Sequence, residues 1–368
     1  MRVLALEPYY GGSHRAFLDA WIAESRHRWT LLTLPPFAWK WRMRHGAITF
    51  ARDLEERSGV GESWDVLFCS DMLDLAAFKG LAPRTVRDLP AVAYFHENQL
   101  TYPVRFEAER DLHFALTNVT TALAADAVWF NSDFHRRELL DAIPLLLRKM
   151  PDHQPLDAGE RIRQRSHVVP QGIEPMPERG ERRPGPLRIL WAARWEFDKD
   201  PETFFAALGI ARDAGVAFRL SVLGESFRQV PEVFRRARED FTDRIDRWGF
   251  QESRDDYRAA LLEADVVVST AVHEFFGISV VEAIAAGCYP LLPERLAYPE
   301  ILAEIDGDRG EFFYGGSAKQ LAARLGELAA AEDLWCGDPT RGRRAVTRFA
   351  WPALRPRLDR ALSESLES

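Results

Sequence analysis

Residues Ser269–Leu292 read STAVHEFFGISVVEAIAAGCYPLL, and the fold turns on them. The overlapping run Ala264–Thr270 (ADVVVST) is apolar and β-branched, as a buried parallel strand is. It ends in a loop carrying Glu274. Gly277 permits a sharp turn there, and Ser279 is the expected N-cap of a helix over 280–286. A helix start offers unpaired N–H groups and the positive end of the dipole, which suits a phosphate. Glu282 follows Glu274 in E-x7-E spacing, about 12 Å along the axis at ~1.5 Å per residue. Carboxylates that far apart cannot share a proton, but they suit two hydroxyl groups of one extended ligand. Gly287–Pro290 ends the helix and Tyr289–Leu292 opens the next strand, which makes this a unit of a parallel α/β sheet.

The preceding residues repeat the pattern. Leu187–Trp191 is an expected strand, followed by a loop with Arg194 and Lys199 and a helix to Ala214. Two cations at a strand's carboxyl end suit a diphosphate. Phe218–Leu223 is the next strand, with Gly224, Glu225 and Ser226 after it. Ile245–Trp248 leads to Gly249 and Phe250, a place for a nucleobase. Helices are expected over 257–264, 295–305, 317–330 and Trp351–Leu366.

The first half opens the same way. Val3–Leu6 is a strand, Gly11 and Gly12 form a turn where backbone N–H groups approach an anion, Ser13 is the expected N-cap, and a helix covers Arg15–Glu24. Ala91–Phe95 ends at His96, Glu97, Asn98 and Gln99, four polar residues where open α/β sheets bind ligands. Between them, Trp39-Lys40-Trp41-Arg42-Met43-Arg44-His45 alternates aromatic and basic residues. This fits an amphipathic helix with core tryptophans. It equally fits an RNA surface, where rings stack on bases and cations meet phosphates. Residues 148–165 read as a polar loop or insertion, and the Pro/Gly/Arg-rich run 175–186 as an interdomain linker.

The chain has 368 residues, room for two domains, and 46% hydrophobic content supports filled cores. With 48 basic and 56 acidic residues its net charge is -8, which argues against a surface that binds nucleic acid all round but not against a local basic patch. Cys69, Cys288 and Cys336 are few and far apart, as thiols in a reducing compartment are. No apolar run reaches a membrane span and the chain starts directly as a strand, so a cytoplasmic protein without membrane contact is expected.

The stretch Glu274–Leu292 resembles the sugar-nucleotide signature of retaining GT-B glycosyltransferases, with Glu, Phe-Gly, Glu-Ala and Gly-x-Pro in register. Arg194, Lys199, Gly224 and Trp248-Gly249-Phe250 follow the same pattern, and Val169-Pro170-Gln171-Gly172-Ile173 resembles its domain crossing, with Gln171 where Asn is usual. Glu7–His14, Trp39–Arg44, Tyr94–Pro103 and Phe130-Asn131-Ser132 resemble, more narrowly, the tRNA-queuosine α-mannosyltransferases.

The resemblance implies an α/β GT-B fold of two Rossmann-like domains facing a cleft. Residues 1–174 would bind acceptor, 187–345 the nucleotide sugar, and a helix within 346–368 would cross back to the first domain. It implies GDP-mannose as donor and the cyclopentene diol of queuosine in tRNA-Asp as acceptor. No Asp-x-Asp motif directly follows a strand, and Arg194 and Lys199 can replace a metal, so neither metal nor cofactor is expected. The residues implied at the chemistry are His96, Arg194, Lys199 and Glu274. Donor contacts fall on Gly11, Gly12, Gly224, Trp248, Phe250, Phe276, Gly277, Ile278 and Glu282. Acceptor contacts fall on Ser13, His14, Trp39, Lys40, Trp41, Arg42, Arg44, Asn98 and Gln99. Two other readings stay open at this point: a GT-B enzyme that glycosylates a lipid or small molecule from a UDP- or GDP-sugar, and a non-catalytic RNA-binding module.

Overall fold

Twelve strands build two parallel sheets in the computed structural model, which describes residues 1–57, 62–106, 110–180, 182, 184–225 and 230–365. Ser226, Leu366 and two linker residues, Glu181 and Arg183, lie outside the described residues. The chain divides into two units: Met1–Gly172 together with the segment from Trp351, and Ile173–Ala350.

The first unit contains β1 (Arg2–Glu7), β2 (Arg28–Thr33), β3 (Val66–Ser70), β4 (Ala91–Phe95), β5 (Ala127–Phe130) and β6 (Ser166–Val168), in the order β2-β1-β3-β4-β5-β6. The chain reverses direction across the sheet between β1 and β3, so the ligand-binding crevice of such a sheet falls at their carboxyl ends. Strand residues alternate between faces. Leu4 and Leu6 of β1 join Ala91, Ala93 and Phe95 of β4 on one side. Val3, Ala5, Val92 and Tyr94 face the other, where the helix Trp351–Glu364 adds Trp351, Leu354, Leu358 and Leu362. Asp359 of that helix, buried, accepts hydrogen bonds from Trp21 Nε1 (2.8 Å), Ser25 Oγ (2.7 Å) and the Arg26 amide (2.8 Å).

The second unit contains β7 (Leu187–Ala192), β8 (Phe218–Leu223), β9 (Ile245–Gly249), β10 (Val266–Val268), β11 (Tyr289–Pro293) and β12 (Phe313–Tyr314), in the order β12-β11-β10-β7-β8-β9. Counted from β7, this is the 3-2-1-4-5-6 order of a dinucleotide-binding sheet, and its switch point lies between β7 and β10. Val266 and Val267 pair with Ile189 and Leu190 across that boundary, so the loops carrying Arg194 and Glu274 leave adjacent strands.

Several local expectations need correction. The polar segment 148–165 contains a helix, Ala158–Arg163, because Ala158 and Ile162 fall four apart and both bury. The helix expected over 295–305 shrinks to the single turn Tyr298–Ile301, with Leu296 in a left-handed conformation ahead of it. The stretch at Trp39 belongs to a 19-residue helix, Trp39–Arg57.

Candidate active site

The second unit's site is built where β7 and β10 end. Lys199 is buried, and its Nζ donates to the His273 carbonyl at 2.7 Å. The same ammonium meets Glu274 Oε2 at 3.2 Å and Asp198 Oδ2 at 3.1 Å. Thr270 Oγ1 donates to the Lys199 carbonyl (2.8 Å), and the Val272 amide to the Asp198 carbonyl (2.9 Å). The two loops are thus stitched together around one cation. Arg194 lies nearer the surface and pairs with Glu196 at 3.2 Å.

The helix after the Glu274 loop spans Ile278–Ala285 and is capped by Gly277, not Ser279. Gly277 has φ 90°, a conformation that glycine adopts at little cost, and a Cβ here would press on the Tyr298 ring at 3.2 Å. Ser279 lies inside the first turn, where its Oγ donates to the Ala192 carbonyl at 2.6 Å and ties the helix to the end of β7. No side chain caps this helix, which leaves its first N–H groups for an anion. A helix that starts at Ile278 makes Glu282 its fifth residue, one turn in. Tyr257 OH donates to Glu282 Oε2 at 2.7 Å. Burial raises the pKa of both groups.

Gly224 sits where the loops after β7 and β8 touch. A Cβ there would fall 1.8 Å from the Ala193 carbonyl oxygen, so only glycine fits. Phe250 is 63% exposed just past β9, whereas the Trp248 ring packs against Trp195 (centroids 5.4 Å apart) and Phe205 (6.0 Å). The Phe276 ring is also core, edge-on to Phe349, so only its backbone is left for a ligand. Ile278 packs against the same core. A small pocket at the switch point is lined by Ala192, Ala193, Lys199, Glu274 and Ser279. A larger recess lined by Glu294, Pro299, Asp308, Arg309 and Phe313 holds none of the expected site residues.

The first unit has its own polar cluster at the switch point of its sheet. Glu7, at the end of β1, is buried and accepts from the Tyr9 amide (2.9 Å) and Ser70 Oγ (3.0 Å), while its other oxygen meets His14 Nδ1 at 3.1 Å. Burial disfavours a charge on His14, but Glu7 outweighs it and the pKa rises to about 9. His14 stacks on His96 with centroids 3.9 Å apart. Burial, followed by the charges of His14 and His135, pushes His96 well below the usual histidine range. Asp71 follows β3, accepts from the His96 amide at 2.8 Å, and is pushed up to about 8 by burial against the pull of His14. Glu7, His14 and His96 offer nitrogen and oxygen atoms within 4.8 Å of one another. Glu7 Oε2 and His14 Nδ1 are already paired at 3.1 Å, so a cation here would have to displace that contact.

Gly11 and Gly12 lie at the turn between β1 and helix Gly12–Ile22, whose N-cap is Gly11. Ser13 is therefore inside the helix and exposed, and does not cap it. Asn98 is fully buried and closes its own loop: its Oδ1 accepts from the Leu100 (3.1 Å) and Thr101 (2.9 Å) amides. Gln99 is partly exposed and donates to Glu97 at 2.8 Å. Along helix Trp39–Arg57 the basic residues divide. Arg42 is buried, donating from Nε to the Pro35 carbonyl (3.0 Å) and contacting His45 (2.8 Å), and its guanidinium covers Phe37. Trp39 packs on Phe114. Lys40, Trp41 and Arg44 stay exposed, Trp41 by 60%.

Sequence reasoning passed over Glu7, Asp71, Asp198 and Tyr257 as site residues. Three of them stand directly at strand ends or beside a chosen residue, which was the available signal. Tyr257 had none, because its link to Glu282 is tertiary.

Residues 2–173 match the N-terminal family of the tRNA-queuosine alpha-mannosyltransferases, and residues 173–334 match the glycosyl transferases group 1. The tRNA-queuosine alpha-mannosyltransferase of Drosophila melanogaster is 36% identical over 314 residues, which cover 81% of this chain and 81% of the relative. Sucrose-phosphate synthase from Thermosynechococcus elongatus superposes with TM-score 0.73 at 16% identity over the whole of both chains. HepE of Anabaena, solved with UDP, gives 0.70 at 14% identity, covering 99% of this chain and all of that one. These two establish the fold alone, the GT-B pairing of two α/β units. No helix among the described residues is long and apolar enough to cross a membrane. The chain belongs to the tRNA-queuosine alpha-mannosyltransferase family.

Proposed function

We propose that the protein transfers mannose, with retention, from GDP-mannose to the cyclopentene diol of queuosine at the wobble position of tRNA-Asp. The observation that carries the reading is the meeting of Lys199, Glu274 and an uncapped helix start at one switch point. As the bond from sugar to diphosphate stretches, negative charge grows on the leaving phosphate and positive charge on the ring. Arg194, Lys199 and the amides after Gly277 stabilise the first. Glu274 holds sugar hydroxyls and Glu282 the ribose, with Phe250 beside the base. No carboxylate is assigned as a nucleophile, so the acceptor hydroxyl attacks from the face the diphosphate leaves.

His96 donates a hydrogen bond to a sugar or phosphate oxygen. Lys40, Trp41 and Arg44 hold the RNA. Because two cations serve the diphosphate, turnover requires no divalent ion; loss of activity in EDTA restored by Mg²⁺ overturns that part. The family relationship supports the acceptor. The decisive experiment is mass spectrometry of nuclease-digested tRNA after incubation with GDP-mannose. A hexose increment on queuosine in queuosine-containing tRNA, and none in queuosine-free tRNA, is expected. Transfer to a lipid or small molecule instead, or no turnover, overturns the reading.

A further inference from the structure

His96 is held from several sides at once. Its amide donates to Asp71, and Asn131 Nδ2 donates to its carbonyl at 2.9 Å. Its ring lies against His14, and Tyr94 and Phe17 meet it edge-on at 4.7 and 5.5 Å. Gln171 Nε2 approaches His96 Nδ1 to 2.7 Å. An amide NH₂ has only hydrogens to offer, so a bond here requires Nδ1 to present its lone pair. A neutral ring then carries its single proton on Nε2. The cation stacked on it at His14 works in the same direction, by disfavouring a second proton. Among the described residues nothing bonds His96 Nε2, and it is not one of the buried polar atoms without a partner, so it reaches solvent.

We propose that Gln171 is a positioning residue that locks His96 in the Nε2–H form and so makes it an obligatory hydrogen-bond donor to the reacting sugar. Gln171 lies 75 residues away in the chain, in the segment that leaves the first unit. Its function is to set which ring nitrogen holds the proton. The catalytic consequence rests on the donor role assigned to His96 above; the tautomer itself does not.

The test uses the whole protein, labelled with ¹⁵N in its nine histidine side chains. Long-range ¹H–¹⁵N spectra are assigned for His96 by its loss in His96→Gln. In the wild type, His96 Nδ1 is expected at the shift of an unprotonated nitrogen and Nε2 at that of a protonated one. Gln171→Glu replaces the donor by an acceptor and is expected to place a proton on Nδ1. Its kcat should fall on the order of 100-fold with KM for GDP-mannose nearly unchanged, the size of a lost proton-positioning contact. Gln171→Met, which makes no bond, should mix the two forms and lose less; it also serves if the glutamate variant fails to fold. A wild-type Nδ1–H, or an unchanged His96 pattern in both variants, overturns the proposal. An expected tautomer in a protein that does not modify queuosine overturns the proposed function and leaves the positioning of His96 standing.

Discussion

Lys199 Nζ lies 3.2 Å from Glu274 Oε2, so the cation leaving β7 and the carboxylate leaving β10 are joined before any ligand arrives. Asp198, almost fully buried, holds the same ammonium from the other side. The consequences of removing Lys199 and Arg194 therefore differ. Lys199→Ala strands the carboxylate of Asp198 and should destabilise the fold by about 3–5 kcal/mol besides abolishing turnover. Arg194→Ala removes a more exposed cation, should leave stability within about 0.5 kcal/mol, and should lower sugar transfer on the order of 100-fold. Thermal melts and initial rates on the two variants check both halves. An Arg194→Ala enzyme within a few-fold of wild type would sink the phosphate assignment.

Tyr257 supports the second carboxylate of the pair through its 2.7 Å bond to Glu282. Tyr257→Phe keeps the ring and removes only that donor. Losing a bond to a charged acceptor costs about 1.5–3 kcal/mol, so KM for the nucleotide sugar should rise about tenfold or more. KM for the tRNA should not change. Equal effects on both substrates would show that Tyr257 shapes the fold generally and not the ribose contact.

Helix Trp39–Arg57 separates its basic residues by burial. Lys40→Ala and Arg44→Ala should each reduce the slope of log Kd for tRNA against log salt by about 1, with little change in stability. Trp41→Ala should weaken binding by about 1–3 kcal/mol through lost stacking. Arg42→Ala should act differently: the buried guanidinium packs over the Phe37 ring and donates to the Pro35 carbonyl, so the variant melts earlier. Filter binding at several salt concentrations, beside thermal melts, separates these outcomes. An Arg42→Ala protein of full stability and altered salt slope contradicts the division.

The sequence carried the strands and the motif residues because their signals are local. A β-branched run, a glycine turn and E-x7-E spacing are all visible within 25 residues of Ser269. Caps were misassigned at Ser13 and Ser279 because residue type favours serine, while the backbone turns at Gly11 and Gly277 fix where each helix begins. The strand order β12-β11-β10-β7-β8-β9 is not written in any segment; it emerges when the sheet closes, and only then do Arg194 and Glu274 share a boundary. Asn98 reads as a polar strand-end residue like its neighbour His96, yet it turns inward to satisfy the Leu100 and Thr101 amides. Contacts such as Gln171 to His96 and Tyr257 to Glu282 join residues 75 and 25 positions apart, with no periodicity to announce them.

The Glu7–His14 pair makes a signed prediction about pH. The folded pKa of His14, about 9, lies above the ordinary 6.5. The folded state therefore binds a proton that the unfolded chain has released between those values. The stability this pair contributes is fully present below about pH 6.5 and is lost as pH rises through 9. Glu7→Gln keeps an acceptor for the Tyr9 amide and Ser70 but removes the charge that holds the proton on His14. Wild type should then exceed the variant in melting temperature most at pH 6 and least at pH 9. Asp71, raised by burial against the pull of His14, also feels the charge of Glu7 and so shifts in the variant too; both proteins are therefore compared in an Asp71→Asn background. Melts at half-unit pH intervals give the curve. A gap that stays flat or widens toward pH 9 would mean that His14 is neutral beside Glu7, and that the charge stacked on His96 is absent.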